Sequence, residues 1–261
     1  MSALPVTSPK RIIPCLLMGT SGLVKTRKFD KPKYLGDAVN TVRIFNDKQA
    51  DEIILLDIIA GKERKPIRFS NVEEIVSQAF MPVCYGGGIT SLDEVRRLLR
   101  LGVEKVALCT AALENPKLIS ESAAAFGNQA VVGVVEVSKK GLFGGQEASH
   151  TGGTKKAGLS PVEAARRMVE AGAGEIMINH AERDGEMSGY DTALVKSICD
   201  AVNVPVIACG GCGSLDHIRD LFAATAVSAA AAGSLFVFHG PHRAVLVNYP
   251  QPPDVDALTG R

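Results

Sequence analysis

Eight short apolar runs recur along the chain, and most are followed by a stretch with helical periodicity. They are RIIPCLL (11–17), EIILLDI (52–58), MPVCY (81–85), EKVALC (104–109), AVVGVVEV (130–137), EIMIN (175–179), PVIAC (205–209) and AVSAAA (226–231). These are continuous stretches of β-branched or small residues, the pattern of strands buried on both faces. Between them, Leu35–Ala50 sets Val39, Val42 and Phe45 near one face of a helix. Ser70/Glu73, Ser91/Glu94 and Ser160/Glu163 each match a capping box, with Pro161 at a first helical position. Eight strand–helix repeats in 261 residues predict an α/β protein, a single (β/α)8 TIM barrel. An open doubly wound sheet is the alternative.

The chain repeats itself. PVCYGGGITSLDEVRRL (82–98) aligns without a gap on PVIACGGCGSLDHIRDL (205–221) at an offset of 123, and the same offset brings Glu52-Ile53 onto Glu175-Ile176. Two similar half-barrels, about 10–127 and 128–245, explain such a repeat within one domain covering 1–261. Two segments, Met18–Lys33 and Ser138–Gly158, show no period and carry several basic residues. They are expected as irregular loops at the C-terminal face of the barrel, where binding loops lie. Their charge serves either solvation or recognition of an anionic substrate.

Composition removes several classes. With 29 Lys+Arg against 28 Asp+Glu the net charge is +1, which gives no footprint for nucleic acid or an anionic membrane. No apolar run approaches the roughly 18 residues of a membrane span. The N-terminus MSALPVTSPKR lacks the apolar run of a signal peptide, so the expected compartment is the cytoplasm. Six cysteines in such a chain read as reduced thiols; Cys209 and Cys212 form a CxxC, but ACGGCGS reads better as a glycine turn than as a redox or metal motif. No metal and no cofactor is expected.

The glycine clusters carry candidate chemistry. Gly87 and Gly88, and Gly210, Gly211 and Gly213, fall between a strand end and a helix start, where backbone N–H groups can approach an anion. Thr110 after strand 4 and Gly233-Ser234 after strand 8 add donors at nearly equivalent places. The repeat therefore suggests two phosphate sites, one per half.

RIIPCL, ADEIILLDI, YGGGITSLDEVRRLL, FGNQ, RDGEMSGYD and VPVIACGG closely resemble the cyclase subunit of imidazole glycerol phosphate synthase, over roughly residues 10–240. The resemblance implies a half-barrel-repeat fold, a glutaminase partner, and ammonia passing along the barrel axis to a bis-phosphorylated ribonucleotide. It implies two acid/base aspartates at the ends of strands 1 and 5. Here the first position is Leu17, which cannot move a proton, and the second is Glu136, a carboxylate one methylene longer. Cys109 stands at the position of a phosphate-site asparagine, and Glu182 where the family commonly has Asp. Arg11, Glu52, Lys105 and Glu175 match the family's charged gate for ammonia, and Lys25, Asp57, Asp184 and Gly185 match positions of the active face.

One branch of that family resembles this chain more closely, in GLVKTRKF, KPKYLGDAVN and the tail GSLFVFHGPHRAVLVNYP with His239 and His242. These are the acetamidino-sugar modification proteins. The likeness implies ammonia supply, with a glutaminase, to a separate sugar amidotransferase. Two other functions stay open: a cyclase of histidine biosynthesis working through Glu136, and a barrel that binds a phosphorylated sugar without moving ammonia.

Overall fold

The computed structural model describes residues 9–141 and 144–261. The reading of the N-terminus rests on residues 1–8, and part of the Ser138–Gly158 segment on 142 and 143; both lie outside the described residues. Eight parallel strands close into a barrel: β1 Arg11–Met18, β2 Ile53–Asp57, β3 Val83–Gly86, β4 Lys105–Leu108, β5 Val131–Lys139, β6 Glu175–His180, β7 Val206–Cys209 and β8 Ala229–Ala232. Each pairs in parallel with the next, β8 pairs with β1, and β5 pairs with β6 across the middle, so no edge is left open. All eight apolar runs supply a strand, and the open sheet is excluded.

Alternation along each strand sorts side chains between two compartments. Ile13 and Cys15, Ile54, Cys84, Ala107, Val132 and Val134, Met177, Ile207, and Ala229 and Ala231 form the filling of the barrel interior. The opposite faces, with Ile12, Leu16, Leu55, Tyr85, Val106, Val131, Ile176 and Ala230, pack under the surrounding helices. Two of the capping boxes form as read: Ser91 with Glu94 opens the helix Leu92–Arg100, and Ser160 with Glu163 opens Pro161–Glu170 with Pro161 at its start.

Three expectations are corrected. Ser70 caps nothing: the helix is Phe69–Val76, Ser70 lies inside it, and the N-cap is Arg68 with no side-chain cap. The Arg68 guanidinium reaches Asp57 and the carbonyls of Gly19 and Thr20, which anchors the helix start two residues before Ser70. The helix read from Leu35 begins at Ala38, because Asp37 accepts from Asn40 N and Leu35–Gly36 still belong to a strand.

The two irregular segments are β-hairpins, Leu23–Arg27 with Asp30–Gly36 and Gln146–His150 with Lys155–Lys156, whose first strands are again offset by 123 residues. The first hairpin turns on Lys28 and Phe29, both at positive φ (53° and 58°), without the Asn-Gly or Asp-Gly signature of such a turn. Asp184 holds this uncommon turn from outside: its carbonyl accepts from Lys28 N (2.8 Å) and its carboxylate from Phe29 N (3.1 Å).

Candidate functional site

At the N-terminal mouth the first inward residue of four strands is charged. Arg11 of β1 pairs with Glu175 of β6 and with Glu52, which immediately precedes β2. Lys105 of β4 sits 3.1 Å from both Glu52 oxygens and 2.9 Å from Glu175. The glutamates are buried and the cations half-buried, so the four charges form one closed, neutral ring across the axis. Above it the lumen is lined by apolar side chains and the buried thiols of Cys84, pushed up by desolvation, and Cys15, pushed up first by its contact with the Cys209 thiol and then by desolvation.

At the C-terminal face the lumen meets a cavity of about 880 Å³. Leu17, Leu56 and Val134 are in its wall, with Glu136, Asn179 and Cys109. Asp57, Gly87, Gly88 and Thr110 also line it, so the first-half candidates converge on one space. Gly87 (φ +108°) packs on the Asp57 backbone; Asp57 itself accepts from Ile59 N and Ala60 N at 3.0 and 2.9 Å and from Arg68 at 3.1 Å, which commits its carboxylate to the fold. The Thr110 hydroxyl accepts from Thr151 N at 3.2 Å.

The second-half candidates surround a space of about 30 Å³ lined by Lys25, Asp184, Gly185, Gly210, Gly211, Gly233 and Ser234. Gly213 is not part of it; its N–H donates to the His217 ring at 3.1 Å. His239 and His242 lie outside both cavities, in the region of the short Phe238–His239/Ala244–Val245 hairpin. Among the described residues no group of three or more His, Cys, Asp or Glu is placed to hold a metal ion.

Glu136, on β5, lines the wide cavity. Burial pushes its pKa up to about 7, against the N–H of Gly153 at 2.9 Å, the Gly152 backbone and the Cys109 thiol, which all favour the anion. The group is thus poised near neutrality, where acid/base work is most effective. Between its ordinary 4.5 and about 7 the native state holds a proton that the unfolded chain has lost. That contribution to stability is complete below 4.5 and disappears as pH rises through 7. Glu136→Gln is expected to gain on the wild type by up to about 3 kcal/mol between pH 5 and pH 8. Urea melts at the two pH values measure this, and an equal difference at both would refute it.

Several residues here were not singled out from the sequence. Asn179 was legible, since it continues the inward series Glu175, Met177 along β6. Phe29, Arg68 and the Thr151–Gly153 turn over Glu136 had no local signal, because their roles depend on contacts between distant segments.

Comparison with known proteins agrees with this geometry. Residues 11–242 match the family model described as histidine biosynthesis protein. A Pseudomonas aeruginosa protein, provisionally named imidazole glycerol phosphate synthase subunit hisF2, is 51% identical over 95% of this chain and 98% of its own. A Leptospira borgpetersenii protein with a similar provisional name, subunit HisF, is 45% identical over 95% and 98%. The imidazole glycerol phosphate synthase subunit HisF of Alkaliphilus metalliredigens is 42% identical over 88% and 91%. A charged ring below an apolar lumen, glycine cradles above it, and likeness over nearly the whole length place this chain in the histidine biosynthesis protein family, among the HisF-like imidazole glycerol phosphate synthase subunits.

Proposed function

We propose that this chain is the ammonia-conducting barrel of a glutamine-dependent amidotransferase system that serves surface-polysaccharide biosynthesis. A glutaminase of the class I amidotransferase type releases ammonia at the N-terminal mouth. The ammonia crosses the barrel, and a separate sugar amidotransferase uses it to turn an acetamido group of a nucleotide sugar into an acetamidino group. Residues 1–261 act as one barrel domain, with half-barrels about 10–127 and 128–245, in the cytoplasm.

The observation that carries this reading is a passage with a gate and without a full catalytic pair. The ring of Arg11, Glu52, Lys105 and Glu175 seals one end by charge. An apolar lumen favours neutral ammonia over ammonium, since a bare cation there would be strongly desolvated. At the far end Leu17 occupies the place of one acid/base group and leaves Glu136 alone. On the N-terminal face Phe80 is 89% exposed, and Asn46 bonds its backbone N–H at 2.9 Å. A rigidly presented aromatic beside the gate suits an interface anchor for the glutaminase.

A second reading, cyclisation of a bis-phosphorylated ribonucleotide in histidine biosynthesis, is favoured by the relatives' names and by Glu136 near neutrality. Both are tested with the reconstituted barrel, glutaminase and acceptor enzyme. Lys105→Ala and Arg11→Ala are each expected to reduce glutamine-dependent transfer at least about tenfold, a loss near 1.4 kcal/mol in the transfer barrier. Transfer from added ammonium salt should be unchanged. If glutamine-dependent transfer survives both substitutions, the gate reading fails and a phosphosugar-binding barrel without ammonia transfer takes its place. If wild-type barrel and glutaminase cyclise the ribonucleotide at an ordinary enzymatic rate, the cyclase reading replaces the first.

A further inference from the structure

Two segments far apart in sequence meet at the C-terminal face. Residues 27–34 belong to the first hairpin, and 238–246 hold the short hairpin of the tail, which pairs with no other strand. Lys33 joins them: its Nζ donates to the Arg243 carbonyl at 3.3 Å and lies 5.2 Å from the centre of the Phe238 ring. Arg243 in turn donates to the Gly185 carbonyl at 3.1 Å, which ties the tail to the second cradle. The first hairpin also lends Phe29, Asp30 and Pro32 to the wall of the wide cavity. The joined hairpins therefore form a platform bordering that cavity.

Charge is distributed unevenly over the molecule. Five of the 29 Lys and Arg residues fall in these two stretches, Arg27, Lys28, Lys31, Lys33 and Arg243, against one of the 28 Asp and Glu residues, Asp30. The chain's +1 thus hides +4 here and −3 elsewhere. Glu186 reaches in and pairs with Arg27 (2.8 Å) and Lys28 (3.8 Å), which leaves Lys31, Lys33 and Arg243 without a carboxylate partner among the described residues. Apolar side chains stand among these cations. Of the five large apolar residues exposed among the described residues, three are here: Tyr34 (56%), Val245 (41%) and Leu246 (52%). Exposed apolar groups among charges of one sign are the composition of a protein interface.

We infer that this platform docks the enzyme that consumes the ammonia, through a surface of that enzyme that combines acidic groups with an apolar contact. A second copy of this chain would bring like charges together. The inference rests on the proposed conduit. Ammonia let out into neutral water takes up a proton and stops being a nucleophile, so the enzyme that uses it has to cover the wide cavity. A partner seated on the two hairpins does so, because Asp30 and Pro32 of the platform are already part of the cavity wall.

Binding of the purified sugar amidotransferase to the complex of barrel and glutaminase, followed by interferometry without glutamine, tests this. Leu246→Ser is expected to weaken binding about tenfold, mainly through faster dissociation. Lys31→Glu is expected to weaken it about tenfold through slower association, and to reduce its salt dependence. Both side chains lie outside the two cavities, and unchanged glutaminase binding checks that the variants are folded. No binding by the wild type, or wild-type affinity in either variant, would overturn the inference. So would a dimer of the wild type, or its adhesion to phosphatidylglycerol vesicles, that the same substitutions abolish. Binding without glutamine is read apart from transfer. If the amidotransferase docks here but transfer ignores Lys105→Ala and Arg11→Ala, the conduit reading fails and the docking surface stands. If transfer needs Lys105 and Arg11 but docking ignores Leu246→Ser and Lys31→Glu, the docking surface alone is overturned.

Discussion

Replacing Glu52 by alanine is expected to cost the fold about 3–5 kcal/mol, the loss that follows removal of one partner from a buried ion pair. Glu52 is 2% exposed and holds two cations at once, Arg11 and Lys105. Without it, Glu175 alone faces both, and the inward-facing ring carries an excess positive charge. Water cannot easily relieve that charge, because Arg11 and Lys105 are themselves only about one-fifth exposed at the side chain. In a chain of this size the loss corresponds to a fall in Tm of about 10 °C. The control is Glu186→Ala, which breaks the pair with the exposed Arg27 and should cost less than about 1 kcal/mol. Equal losses in the two variants, measured by denaturant titration, would show that the ring is no more than a surface pair.

Gly87→Ala is expected to destabilise by about 3–5 kcal/mol, by overpacking and an unfavourable backbone angle together. A Cβ at Gly87 would lie 2.2 Å from the Asp57 carbonyl oxygen, at a φ of +108°. The obstacle is backbone, so no side chain can rotate away. Asp57 cannot retreat either, because it caps the helix Ile58–Glu63 and holds Arg68. The same substitution displaces the turn that carries the proposed phosphate contacts, so phosphate affinity should fall with stability. Gly158→Ala serves as the reference: its φ is +70°, but nothing lies within 4 Å of the added carbon, and about 1 kcal/mol is expected. Thermal melts of both variants decide the matter; a Gly87→Ala loss no larger than that of Gly158→Ala would refute the close approach.

The strands were legible because a parallel barrel demands continuous apolar runs, and the eight runs have no competing explanation at that spacing. The gate was legible less directly. The ring residues mark strand starts, but only the family likeness linked Arg11, Glu52, Lys105 and Glu175, and only the closed barrel brings them into contact. The first hairpin was missed because Lys28 and Phe29 make a tight turn without glycine or asparagine, under the control of Asp184 from more than 150 positions away. The surroundings of the second cradle were hidden for a related reason. The repeat matches Gly87 with Gly210, yet Lys25, which belongs to the first half of the sequence, lines the second cradle beside Gly210.

The membership of the charged ring has a consequence for how the molecule assembles. Three of its four charges, Arg11, Glu52 and Lys105, belong to the first half of the repeat, and one, Glu175, to the second. A first half on its own carries two cations and one anion at this end, and a second half carries a lone anion. The ring is therefore a clasp. It reaches neutrality only when the halves meet in register, and a slip of one residue along β6 would point Glu175 outward and leave the clasp undone.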